Sequence, residues 1–125
     1  MEPDNGSGIG PETGTSEINP AINSIEKAMG LIAQAGDSKS YSMEAIASAR
    51  EGNLGHAREC IEKAKRAMVE AHDMQTDMIR EEVRGNHETV TLIMVHAQDH
   101  LTGALIMRDL AEEFVALYER LDAKS

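Results

Sequence analysis

Aromatic side chains are nearly missing from this chain: one Phe, two Tyr and no Trp in 125 residues. Nucleobases and sugar rings are commonly held by stacking on such side chains, so tight binding of a planar or sugar ligand by this chain alone is not expected. Cysteine is equally scarce. Cys60 stands alone, which rules out an internal disulfide and fits a reducing compartment. Its small and helix-forming neighbours make it a small core residue. Positive charge is short as well, with 12 Lys and Arg against 22 Asp and Glu and a formal net charge of −10. A pI near 4.8 argues against nucleic acid, which rewards basic patches, and against an anionic membrane surface. A basic partner protein suits it better. No stretch approaches the ~18 apolar residues of a membrane span, and the N-terminus lacks the basic start and apolar run of a signal peptide. The composition is that of a soluble, cytoplasmic protein.

Proline occurs three times, and two of the three fall in residues 1–18 together with four Gly, four acids and no base. Nothing there is periodic, so residues 1–18 are expected to be a disordered tail and residues 19–125 a single folded domain. Asn19-Pro20 reads as a helix start, with Asn as cap and Pro at the first helical position. Ile22, Ile25, Met29, Ile32, Gly36, Ser40, Met43 and Ala47 then recur at steps of three and four. Gly36-Asp37-Ser38 resembles a turn, but the stripe keeps its phase across it, which favours one helix of about 30 residues ending near Glu51. Gly52 is the stop and Asn53 the cap of the next helix. Leu54, Ala57, Ile61, Ala64, Met68, Ala71, Gln75, Met78 and Glu82 form the seam of that second helix, and Arg84-Gly85-Asn86 closes it.

A third helix is expected from about Glu88 to Leu121. One stripe holds Leu92, His96, Asp99, Gly103, Ile106, Leu110, Phe114, Leu117 and Leu121; a second set, Val90, Ile93, Ala97, Leu101, Ala104, Ala111 and Val115, lies a quarter to a third of a turn away. The apolar arc exceeds half the circumference, where the surface helix of a monomer needs about a third. This helix therefore has two tasks, packing on its own bundle and packing on something else. Three helices of similar length joined by short Gly-Asn turns give an all-α, antiparallel up-down-up bundle, each helix ~45 Å long at 1.5 Å per residue. The extra arc implies self-association.

The six residues Val95-His96-Ala97-Gln98-Asp99-His100 interrupt this pattern. His96, Asp99 and His100 at i, i+3, i+4 share one helix face, and burying such groups is costly without compensation. Three readings are open. Zinc on His96 and His100 would echo the H-E-x-x-H spacing, but Ala97 stands where the catalytic Glu belongs and no third ligand is evident. Histidines hydrogen-bonded in a core are the usual outcome, yet a buried Asp99 beside them needs a cation, a donor or a proton. A nucleophilic histidine is the third: neutral imidazole has a free lone pair that accepts and hands on a phosphoryl group.

Two motifs, Glu70-Ala71-His72-Asp73-Met74-Gln75-Thr76 and above all Val95-His96-Ala97-Gln98-Asp99-His100-Leu101, with the turn Ala49-Arg50-Glu51-Gly52-Asn53, resemble the enzyme IIA component of the lactose/cellobiose (N,N′-diacetylchitobiose) family of the bacterial phosphoenolpyruvate-dependent sugar phosphotransferase system. The likeness covers residues 20–121. It implies a cytoplasmic homotrimer of three-helix subunits. In that family the position of His96 takes a phosphoryl group on its tele nitrogen from the phosphocarrier HPr. It passes the group to a cysteine of the IIB component, and the membrane component IIC moves a disaccharide such as lactose, cellobiose or diacetylchitobiose. The resemblance also implies that Asp99, one from each of three subunits, holds a divalent cation, usually Mg2+, at the threefold axis. Three carboxylates on a dry axis repel one another, and a hard cation relieves this. His100, one turn from His96, is placed to shape the site or donate to the phosphate. Where family members continue with Met-Thr, this chain has Thr102-Gly103, and Gly103 lets neighbouring helices approach closely. The rival reading, from a different class, is a non-catalytic helical adaptor that docks through its third helix.

Overall fold

The computed structural model describes residues 20–124. The expected tail over 1–18 and the cap at Asn19 lie outside these residues. Three helices follow in order: α1 from Pro20 to Arg50, α2 from Leu54 to Val83 and α3 from Leu92 to Ala123. No helix among the described residues is long and apolar enough to cross a membrane.

Both turns between sequential helices begin with the same device. Gly52 and Gly85 have φ of 86° and 95°, a conformation that costs an L side chain but not glycine. Asn53 N–H donates to Ser48 O at 2.8 Å and Gly52 N–H to Ala49 O at 3.0 Å; Asn86 N–H donates to Glu81 O at 2.9 Å and Gly85 N–H to Glu82 O at 3.0 Å. These are the paired bonds of a Schellman ending, which satisfy carbonyls that the helix leaves open. Asn53 then caps α2, its Oδ1 accepting from His56 N–H at 3.3 Å.

α1 runs unbroken through Gly36-Asp37-Ser38. The stripe that the sequence suggests for its buried face is not the one that packs inside. Ser24, Ala28, Leu31, Ala35, Ser38, Ser42, Ala45 and Ala49 are buried, a faultless alternation of four and three residues. Ile22, Ile25, Met29 and Met43 lie between 41% and 52% exposed. The reason is close approach: α1 packs along the length of both α2 and α3, and small side chains let three backbones sit near one another where Ile and Met would hold them apart. The buried hydroxyls are satisfied. Ser38 Oγ donates to Ala64 O of α2 at 2.8 Å, Ser42 Oγ to Ser38 O at 2.8 Å, and Ser24 Oγ to Thr89 O at 2.7 Å. Serine on a core face hides the stripe from any count of apolar residues.

α2 packs as its seam predicts, with Ala57, Ile61, Ala64, Met68 and Ala71 buried. Cys60 is also in the core, against Ala45, Ala57, Ala111 and Val115. α3 begins later than expected. Residues 86–91 form a connection rather than a first turn, and Thr91 is the cap, its Oγ1 accepting from Met94 N–H at 3.1 Å. Glu88, the expected helix start, instead pairs with Lys27 of α1, and Val90 is left exposed outside the helix. Within α3 the second set turns inward: Ala97, Leu101, Ala104, Ala111 and Val115 are buried, joined by Met94. The first stripe turns outward, and Leu92, Ile106, Leu110, Phe114, Leu117 and Leu121 are all substantially exposed. A band of large apolar side chains on one helix face exceeds the scattered exposure of a typical monomer.

Candidate functional site

The inward face of α3 decides where the motif residues go. With Met94, Ala97, Leu101 and Ala104 in the core, His96, Asp99, His100 and Gly103 are left on the outward side, about one to three turns after the Thr91 cap. The cluster therefore does not sit in the bundle core as the sequence pattern suggests. His96 and Asp99 are exposed and His100 is half-buried. The stripe's apolar neighbours point to the same outside surface, which is why the histidines look like core intruders when read by periodicity alone.

His96 and His100 meet edge to face, with ring centroids 4.4 Å apart at 85°. Their Nε2 atoms lie 2.9 Å apart. Two imidazole nitrogens at that distance share one proton: the N–H of one ring donates to the lone pair of the other. The pair opens onto a cleft of about 280 Å³ lined by Lys39, Asp99, Gly103, Ala104 and Met107. Lys39, on α1, is the residue that sequence reading missed. It supplies a cation to a site where the chain as a whole is strongly negative. Its only sequence signal is its place just past Gly36-Asp37-Ser38, and which residue of α3 it faces depends on how the two helices align. Asp99 has no hydrogen-bond or ion-pair partner among the described residues. A Cβ at Gly103 would meet nothing within 4 Å, so the surface beside Asp99 is open.

Gln98 points away from this cleft, as its wheel position requires, and its role becomes physical in the fold. Gln75 Nε2 of α2 donates to Gln98 Oε1 at 2.7 Å, while Gln98 Nε2 reaches Met94 Sδ at 3.5 Å. The amide pair links α2 to the first turns of α3 directly behind His96. Sequence reading had both glutamines but not their pairing. His72 is exposed on α2 and lines no part of the cleft. The Cys60 thiol, inside the bundle, is pushed up from its ordinary value by burial first and by the nearby Glu44 carboxylate second.

Chemically, the cleft offers one imidazole lone pair at a solvent-reachable face, a second imidazole that donates to or accepts from it, an ammonium group and an unpaired carboxylate. Among the described residues, no other base or nucleophile lines it.

Comparison with known proteins gives consistent findings. The family model described as PTS system, Lactose/Cellobiose specific IIA subunit, matches residues 26–119. The lichenan-specific phosphotransferase enzyme IIA component of Bacillus subtilis is 41% identical over 91 residues, 73% of this chain and 83% of that protein. The N,N′-diacetylchitobiose-specific EIIA component of Escherichia coli is 35% identical over 98 residues, 78% of this chain and 84% of that one. Among solved structures, the cellobiose-specific enzyme IIA from Bacillus anthracis superposes with a TM-score of 0.80 at 37% identity, over 90% of this chain and all of that one. The IIA(Chitobiose) solved in complex with HPr from Escherichia coli does so at 0.67 and 33% identity, over 78% and 94%.

Proposed function

The chain belongs to the lactose/cellobiose-specific IIA subunits of the phosphotransferase system, and from that premise we propose that His96 is its phosphoryl carrier. The observation that carries the reading is His96, an exposed residue of α3 whose Nε2 lies 2.9 Å from His100 Nε2 and which lines a cleft together with Lys39. The Nε2 lone pair attacks the phosphorus of phospho-HPr; the new N–P bond forms as the bond to HPr breaks. In the second half the thiolate of a IIB cysteine attacks the same phosphorus and His96 leaves as imidazole. IIB in turn serves the membrane component IIC, which moves a disaccharide. The IIA chain never needs to touch the sugar, in keeping with its lack of aromatic platforms.

His100 has two parts to play in this scheme. While the site is empty its ring holds His96 by the shared proton. When phosphate arrives, the His100 N–H is placed to donate to a phosphoryl oxygen, and Lys39 offsets charge that a net of −10 otherwise repels. Both HPr and IIB must reach the same nitrogen, so their contact surfaces on this chain overlap around the cleft.

The outward α3 stripe supports assembly as a homotrimer. Six large side chains, 43% to 86% exposed, would each gain roughly 1 kcal/mol on completing their burial, enough in sum to hold subunits together. Asp99 lies on that stripe and has no partner among the described residues; a hard oxygen donor with open space beside it fits a divalent cation such as Mg2+, one Asp99 from each of three chains. The ion would supply positive charge among three carboxylates, and phosphoryl transfer does not pass through it.

The same exposed stripe is what an adaptor docking through α3 would present, and one experiment separates the two. Incubation with phosphoenolpyruvate, enzyme I and HPr is expected to add one acid-labile phosphate per chain and none to His96→Ala. An adaptor takes up no label in either form. Uptake by His96→Ala would refute the assignment.

A further inference from the structure

At the opposite end of α3's partners, where α1 turns into α2, a second group of metal-binding side chains converges away from the His96 face. We propose that Glu44, His56 and Cys60 form a zinc-type metal site that clips the α1–α2 hairpin. His56 and Cys60 are one turn apart on α2 and share a face. Glu44 reaches them from the last turns of α1, across the Schellman turn. His56 Nε2 lies 3.0 Å from Glu44 Oε1 and 3.5 Å from Cys60 Sγ, and the three donor atoms all fall within 4.8 Å of one another. A tetrahedral zinc ion with N and O ligands near 2.0–2.2 Å and S near 2.3 Å holds its donors roughly 3.3–3.6 Å apart. The 3.5 Å from Nε2 to Cys60 Sγ already matches; the 3.0 Å from Nε2 to Glu44 Oε1 has to open by about 0.3 Å, and that carboxylate belongs to an exposed side chain.

Three further features fit a metal better than a plain hydrogen-bonded trio. The same ring nitrogen faces both other donors, as one ion bound to all three requires. The opposite nitrogen, Nδ1, lies 3.8 Å from Glu59 Oε2, too far for a hydrogen bond but near enough for that exposed carboxylate to swing in behind the ring and orient it once a metal is bound. Sulfur in the set favours zinc over hard ions such as magnesium or calcium, so this site differs in chemistry from the axial Asp99. The sulfur closes the inner side of the site and the half-exposed His56 and Glu44 the outer side, leaving a fourth position for water.

The test is titration of the full-length, reduced protein with Co2+ followed by Zn2+. The expected result is a thiolate-to-cobalt charge-transfer band with the visible bands of a four-coordinate ion, saturating at one metal per chain and bleached by zinc. One per chain separates this site from an axial ion, which binds one per three and has no thiolate. Cys60→Ser removes the charge-transfer band, and Glu44→Gln, on an exposed side chain, weakens cobalt binding by on the order of tenfold or more. Asp99→Leu keeps the band. Absence of the charge-transfer band in the native chain, or a Glu44→Gln variant that binds cobalt as tightly as the native chain, would overturn the proposal.

Discussion

Replacing His100 tests the site at its most informative point. His100→Ala removes the ring whose Nε2 lies 2.9 Å from that of His96. Two effects oppose each other. Losing the shared proton frees the His96 lone pair, a neutral hydrogen bond worth about 1 kcal/mol, and by itself would speed attack. Losing a donor to the charged phosphoryl oxygens costs about 1.5–3 kcal/mol. Binding phosphate must break the shared-proton bond in the native chain, so the first term counts in full against the second. The loss wins by the difference, about 0.5–2 kcal/mol, which corresponds to about a two- to thirtyfold lower rate constant. The assay is rapid-quench transfer from labelled phospho-HPr at limiting acceptor, with oligomer mass and helicity checked in parallel. His100→Gln can place an amide N–H close to the missing Nε2–H and should recover most of that loss. A purely structural His100 would make both variants lose together or not at all. An alanine variant that transfers at the native rate, or a glutamine variant no better than alanine, would refute the donor role.

Lys39→Gln removes the one ammonium that lines the His96 cleft among the described residues; phosphoryl uptake is expected to fall by about three- to tenfold, with a steeper loss at low salt because an exposed charge is screened, and an unchanged rate in low-salt transfer assays would count against it. Phe114→Glu places a charge in the outward stripe, where the ring is 43% exposed; light scattering should report a chain of 13.6 kDa in place of three times that mass. Ser38→Ala deletes the buried hydroxyl that donates to Ala64 O; the lost bond of about 1 kcal/mol is partly offset by alanine's better helix propensity of about 0.5 kcal/mol, so urea unfolding should shift to a slightly lower midpoint with the slope kept, and a rise would show that the hydroxyl is not needed.

Helix number, helix ends and turns were legible because they rest on local chemistry. Gly52-Asn53 and Gly85-Asn86 each pair a residue tolerant of positive φ with one that can follow it, and a hydrogen-bond pattern only a few residues long settles the rest. The start of α3 escaped because Glu88 finds Lys27 and Thr89 O accepts from Ser24, contacts some 60 residues away that hold the connection out of the helix. The buried stripe of α1 escaped for a related reason: its serines look polar until Ala64, Thr89 and Ser38 supply acceptors.

For the site, the order of residues alone determined that His96, Asp99 and His100 share one face, that Gln98 does not, and that α3 carries more apolar surface than one bundle can cover. A 3.6-residue repeat fixes those relations whatever surrounds the helix. Only the tertiary structure decided which of the two apolar arcs faces inward, and hence that the histidines open to solvent. It also brought Lys39, Gln75 and the Glu44–His56–Cys60 group to their partners. Such pairings depend on the alignment of one helix along another, and that is set by close packing of small side chains at the shared core rather than by any periodicity within a single helix.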